Sequence, residues 1–163
     1  MHLNMIPWNF KQYDTNLDWN EIREMQKQGL FFLPSDFIFL GINCNNLSFN
    51  IQASDDYKVR LANGDLTSFD VIYSLRKIFD ELYILDMYKE SDGLDFKTQF
   101  LPLANNGNTG VFLIGCSLDN LNQIYYFDPN HYDKINKLNY LFFKQAENIF
   151  DLINHQVFNN QPT

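Results

Sequence analysis

Short apolar runs alternate with Gly- and Asn-rich breaks along this chain, and the clearest series lies between Phe100 and Pro129. Phe100, Leu101, Leu103 and Ala104 lead into the break Asn105-Asn106-Gly107-Asn108-Thr109-Gly110. Val111 to Cys116 follows, then a polar stretch from Ser117 to Gln123, then Ile124 to Phe127. Apolar runs bounded in this way predict adjacent strands joined by turns. Val111 to Ile114 is apolar at every position, which predicts a strand covered on both faces in the middle of a sheet. Upstream, Leu47 to Ala53 and Tyr57 to Leu61 alternate apolar with polar residues. Asn63-Gly64 is the strongest two-residue hairpin signal, with Leu66 to Phe69 as the returning strand. Leu138 to Phe143 predicts a last, edge strand.

Helical patterns flank these strands. Asp18 is placed to cap a helix, with Glu21 at the capping-box position, Trp19, Ile22 and Met25 near one face, and Gly29 as its stop. Leu33-Pro34-Ser35-Asp36 is a helix-start signature. The run Phe37 to Leu40 behind it predicts a short, buried helix closed by Asn43 to Asn46. Leu75, Ile78, Phe79, Leu82 and Leu85 have helical spacing and predict a helix from about Ser74 to Tyr88. Ala146, Ile149, Phe150, Ile153 and Val157 predict a closing amphipathic helix. Residues 1–17 read as an irregular lead-in, and 159–163 as a frayed end. N-terminal helices, a mostly antiparallel sheet, one inserted helix and a C-terminal helix make the predicted class α+β.

A length of 163 residues fits one domain. The aromatic share of 17% is high, with 16 Phe and 9 Tyr, and it predicts a Phe-rich core rimmed by Tyr. The formal charge of −8 repels nucleic acid and would steer a basic protein toward the chain. Cys44 and Cys116 match no CxxC spacing, so reduced, buried thiols in a reducing compartment are expected. The N-terminus lacks a basic segment followed by a long apolar one, and no run approaches the ~18 apolar residues of a membrane span. The expected location is the cytoplasm, with no membrane partner.

Candidate chemistry is sparse. His2, His131 and His155 stand apart, without metal-ligand spacing. Cys116 lies in an apolar strand, where a thiol is inert. The Asn/Gly break lacks the Lys-Ser/Thr pair and following helix of a phosphate loop. Asp55-Asp56 and Asp92-Gly93-Leu94-Asp95 do not match a calcium loop. No catalytic residue, metal or cofactor is therefore expected. The acids are nevertheless uneven: Asp80, Glu81, Asp86, Glu90, Asp92 and Asp95 fall in one segment, opposed there by Lys89 alone. Together with Asp55 and Asp56 they form the candidate surface for a basic partner.

These residues also resemble a family. Gly29-Leu30 and Leu33-Pro34 leading into Asp36-Phe37, closed by Asn45-Asn46, are similar to the first signature of the SUKH superfamily, which includes bacterial immunity proteins and yeast cell-wall assembly regulators. Phe100-Leu101-Pro102-Leu103-Ala104, then Asn106-Gly107-Asn108-Thr109-Gly110, then Ile124-Tyr125-Tyr126-Phe127-Asp128 resemble its second signature. Ala146 to Ile153 resembles its final helix, and the likeness spans roughly residues 18–155. Two departures stand out: Asn45-Asn46 replaces the usual Gly-Gly, and the Gly-rich turn is diluted with Asn. The resemblance implies a single highly twisted antiparallel sheet with helices packed against it, and no catalytic residues. It implies an immunity protein that occludes a cognate toxin domain, often a nuclease. A regulatory or scaffold domain for an endogenous partner, and a small hydrolase with an unrecognised acid pair, are the alternatives.

Overall fold

The computed structural model describes residues 10–12, 20, 23–24, 27, 34–36, 47–50, 57–68, 71–72, 99–152 and 157–159. Its strands are β1 (Phe10–Gln12), β2 (Leu47–Asn50), β3 (Tyr57–Arg60), β4 (Leu66–Ser68), β5 (Val71–Ile72), β6 (Phe100–Asn105), β7 (Val111–Gly115), β8 (Ile124–Asp128), β9 (Leu141–Ala146) and β10 (Val157–Asn159). They form a seven-stranded sheet in the order β1-β2-β5-β6-β7-β8-β9 and a three-stranded sheet in the order β10-β3-β4. Every pairing is antiparallel.

The meander β6 to β9 forms the centre. β7 lies between β6 and β8 with all its residues buried, the middle position that its unbroken apolar run predicts. Side chains alternate across it. Val111 and Leu113 pack on one face with Phe100 and Phe127, against the half-buried rings of Tyr125, Tyr140 and Phe142. On the other face Phe112 stands between Ala104 and Tyr126. Full burial of each such side chain stabilises the fold by about 1.5–3 kcal/mol. The β6–β7 register shifts between Pro102 and Ala104, because proline has no N–H to give to the ladder.

Turns fix the order of the meander. In the β6–β7 turn, Gly107 has φ +77°, and Asn106 Oδ1 accepts from the amides of Asn108 (2.9 Å) and Gly110 (3.0 Å). In the β7–β8 turn, buried Asn120 accepts from Ser117 N and Oγ and donates to the Gln99 carbonyl. Asn122, at φ +66°, accepts from the Asp36 amide and donates to Ser35 Oγ, which ties this turn to the segment behind Pro34.

The helix-flanked α+β fold with a single sheet is not what forms. The described residues are mostly strand, divided between two sheets. The continuous helix among them is one turn, Ile149–Asp151, capped by Asn148, whose side chain accepts from the Asp151 amide. Helical backbone at Asn20, Arg23, Glu24, Lys27, Ser35 and Asp36 falls at scattered described positions. The predicted C-terminal helix is replaced at both ends: Ala146 closes β9, and Val157 begins β10, paired with Val59 of β3. Strand partners on both sides outweigh the helical spacing of those apolar residues. The second sheet exists because the β3–β4 hairpin takes β10 as its third strand instead of extending the main sheet. The edge strand runs over Leu141–Ala146, not Leu138–Phe143, because Leu138 is used to close a loop against Asp133. Phe10–Gln12, within the expected lead-in, is a strand paired with β2. The predicted helices over 37–40 and 74–88 lie outside the described residues.

Candidate functional site

Among the described residues, two side-chain amides join the sheets and thereby place a pair of loops side by side. Gln145 of β9, only 6% exposed, accepts from the Ala62 amide (2.8 Å) and donates to the Arg60 carbonyl (3.0 Å). Asn106 donates both to Thr67 Oγ1 of β4 (3.1 Å) and to the Tyr126 hydroxyl of β8 (3.2 Å). The turn of the β3–β4 hairpin is thus held against β9 and the β8–β9 loop. That turn is built on Asn63-Gly64, with Gly64 at φ +92° and its amide donating to the Leu61 carbonyl.

The β8–β9 loop is closed from within. Asp133 and Leu138 exchange backbone hydrogen bonds of 2.8 and 3.2 Å. Asp133 Oδ1 accepts from the amides of Ile135 (2.9 Å) and Asn136 (3.0 Å), and its Oδ2 from Asn136 Nδ2 (2.8 Å). The Asn136 backbone amide, followed by its side chain, holds the Asp133 carboxyl below the usual carboxylate range. A lowered pKa means the loop's order is complete above the ordinary carboxylate range and is lost as pH falls through the depressed value. The Ile135 and Asn136 amide resonances should therefore titrate together, at a pH below that of an unperturbed aspartate, in an NMR series. Titration at the ordinary value would show that these bonds do not hold in solution.

Between turn and loop lies a groove of about 480 Å³. Asn63 and Asp65 line one side, Tyr132 and Ile135 the other, and Phe142 and Phe143 rise from β9. Phe142 belongs to the aromatic packing beneath, stacked on Tyr125 at 5.5 Å and 13°. Ile135 is 83% exposed and Tyr132 51%, on a loop held by its own hydrogen bonds. His131 and Lys134 also reach the groove, and both are exposed.

The buried polar groups nearby are structural. Asp128 accepts from Thr109 Oγ1 (2.7 Å), from the Asn130 amide (3.1 Å) and from the Tyr126 hydroxyl (3.4 Å). Burial, with the Asp128 charge beside it, pushes the Tyr126 phenol up to about 12, so it stays neutral and acts as a donor. Burial also pushes the Cys116 thiol up to about 12, which keeps it protonated and unreactive. Among the described residues no three His, Cys, Asp or Glu side chains are placed to hold a metal, and no helix is long and apolar enough to cross a membrane.

The acids expected to meet a partner, Asp55, Asp56, Asp80, Glu81, Asp86, Glu90, Asp92 and Asp95, all lie outside the described residues. So do Cys44, His2 and His155, whereas His131 stands exposed at the groove. The groove itself was not predicted. Its signal is Tyr132 and Ile135, set among the polar residues His131, Asp133, Lys134 and Asn136. No protein-family model and no curated protein matches the chain, so a reading of its function starts from this groove and from the charge of the whole molecule.

Proposed function

We propose that this chain is an immunity protein. It binds a cognate, positively charged toxin domain of a bacterial polymorphic-toxin or contact-dependent system, in the cytoplasm, and blocks it by stoichiometric occlusion. The observation that carries the reading is the ordered loop that presents Ile135 and Tyr132 to solvent beside an open groove. Exposed apolar groups on a rigid support suit association, since little side-chain and loop entropy remains to be lost on binding. The charge of −8 supports a basic partner, approached under long-range attraction. The signatures around Pro34, Pro102 and Asp128 support the likeness to SUKH immunity proteins, in which a nuclease is a frequent target.

The test is co-expression with a toxin domain encoded beside the gene. The expected result is a one-to-one complex and restored growth. Changing Asp80, Glu81, Asp86, Glu90, Asp92 and Asp95 to Lys should lower the association rate roughly tenfold or more at low salt, with an unchanged unfolding midpoint. A toxin domain that neither binds nor is neutralised overturns the reading. An unchanged association rate removes the acidic segment from the interface.

A further inference from the structure

We propose that the groove between the β3–β4 turn and the β8–β9 loop seats an arginine side chain of the basic protein partner, with Asp65 as its counter-charge and Tyr132 as the surface on which the guanidinium stacks. This rests on the binding reading above and adds to it a place and a residue type.

Asp65 is exposed at the groove wall and has no ion-pair partner among the described residues, whose bridges are Lys27–Glu24 and Lys144–Glu147. Its Oδ2 accepts from Asn63 Nδ2 at 3.0 Å, while no described donor reaches Oδ1, which can accept from a guest. The aromatic residues Tyr132, Phe142 and Phe143 line the same space. A volume of about 480 Å³ has room for a long side chain. It falls within the roughly 300–1,000 Å³ of clefts that take small ligands.

An apolar guest alone would cover Asp65 without pairing it, which is costly. An anion would meet Asp65 and the ionised Asp133. A lysine guest would gain the charge contact but not the planar one. Guanidinium is planar, weakly hydrated and suited to lie on an aromatic ring while bonding a carboxylate at its edge. Lys134 also reaches the groove, but its ammonium is exposed on a flexible stem and can turn to solvent as the guest enters. The overall charge of −8 favours the approach of such a guest.

The test titrates ¹⁵N-labelled full-length chain with blocked tripeptides Gly-X-Gly in which X is Arg, Lys or norleucine. The Arg peptide should shift the amides of 62–65 and 132–136 saturably, the Lys peptide more weakly, and the norleucine peptide not at all. Asp65→Asn, which can still accept from Asn63, should weaken the Arg peptide about tenfold. Asp119→Asn, an exposed acid on the β7–β8 turn, should leave it unchanged. Equal loss in both variants, or equal binding of Arg and Lys peptides, overturns the proposal. Shifts gathered instead on 80–95 also overturn it while leaving the basic-partner reading intact. If neither cationic peptide binds anywhere, the groove proposal falls, while the basic-partner reading still stands or falls with the co-expression test.

Discussion

Gly115→Ala is expected to destabilise the protein by about 3 kcal/mol or more, the upper end of what overpacking a core costs. A Cβ at this position runs into the backbone carbonyl of Asn120, and the Asn120 side-chain oxygen lies 2.6 Å away. Neither can retreat. The Asn120 side chain is committed to Ser117 and the Gln99 carbonyl, and the Gly115 amide and carbonyl bond Gln123 and Asn122. Gly64→Ala is the instructive contrast. Nothing lies within 4 Å of its added Cβ, yet φ is +92°. It should cost only about 1–2 kcal/mol, from the left-handed backbone alone. Urea unfolding followed by circular dichroism would separate the two. A Gly115→Ala midpoint equal to that of Gly64→Ala would mean that the β7–β8 turn yields freely.

Phe112→Ala should lower stability by about 3–5 kcal/mol, since the ring is fully buried and its removal leaves a cavity that the flanking strands cannot close. The ring lies 5.1 Å from that of Tyr126, whose hydroxyl receives Asn106 and donates to Asp128. Loss of Phe112 should therefore also loosen the contact from Asn106 to Thr67, and with it a link between the sheets. Phe112→Leu keeps most of the volume and should cost less than about 1.5 kcal/mol. Calorimetric unfolding of the pair gives the comparison. Near-equal losses would place the ring's weight in its aromatic contacts and not in the space it fills.

The parts of the fold legible in the sequence are those in which one strand's own residues decide its place. Val111 to Ile114 is apolar throughout and lies buried in the sheet interior, and Asn63-Gly64 makes its turn. The C-terminal region was not legible, because Ala146, Ile149, Phe150, Ile153 and Val157 satisfy helical spacing while Ala146 and Val157 have strand partners in β8 and β3. Periodicity reports which face is apolar but not which distant strand will pair with it. The groove was hidden for the same reason. Among the described residues it is held together by contacts distant in sequence, Gln145 to Arg60 and Ala62, 85 and 83 positions away, and Asn106 to Thr67, 39 away. The acidic candidates were found by counting charge, which needs no partner in space.

The side chain of Gln145 also has a direction. Its oxygen meets a donor at Ala62 and its nitrogen meets an acceptor at Arg60, so both ends of this buried amide are satisfied when the hairpin seats on β9 in this alignment. A slip by one residue would turn the hairpin's side chains over and bring unlike groups to that amide. Gln145 thus works with Asn106 against mispairing between the two sheets, and the spacing of the two loops is inherited from that fit.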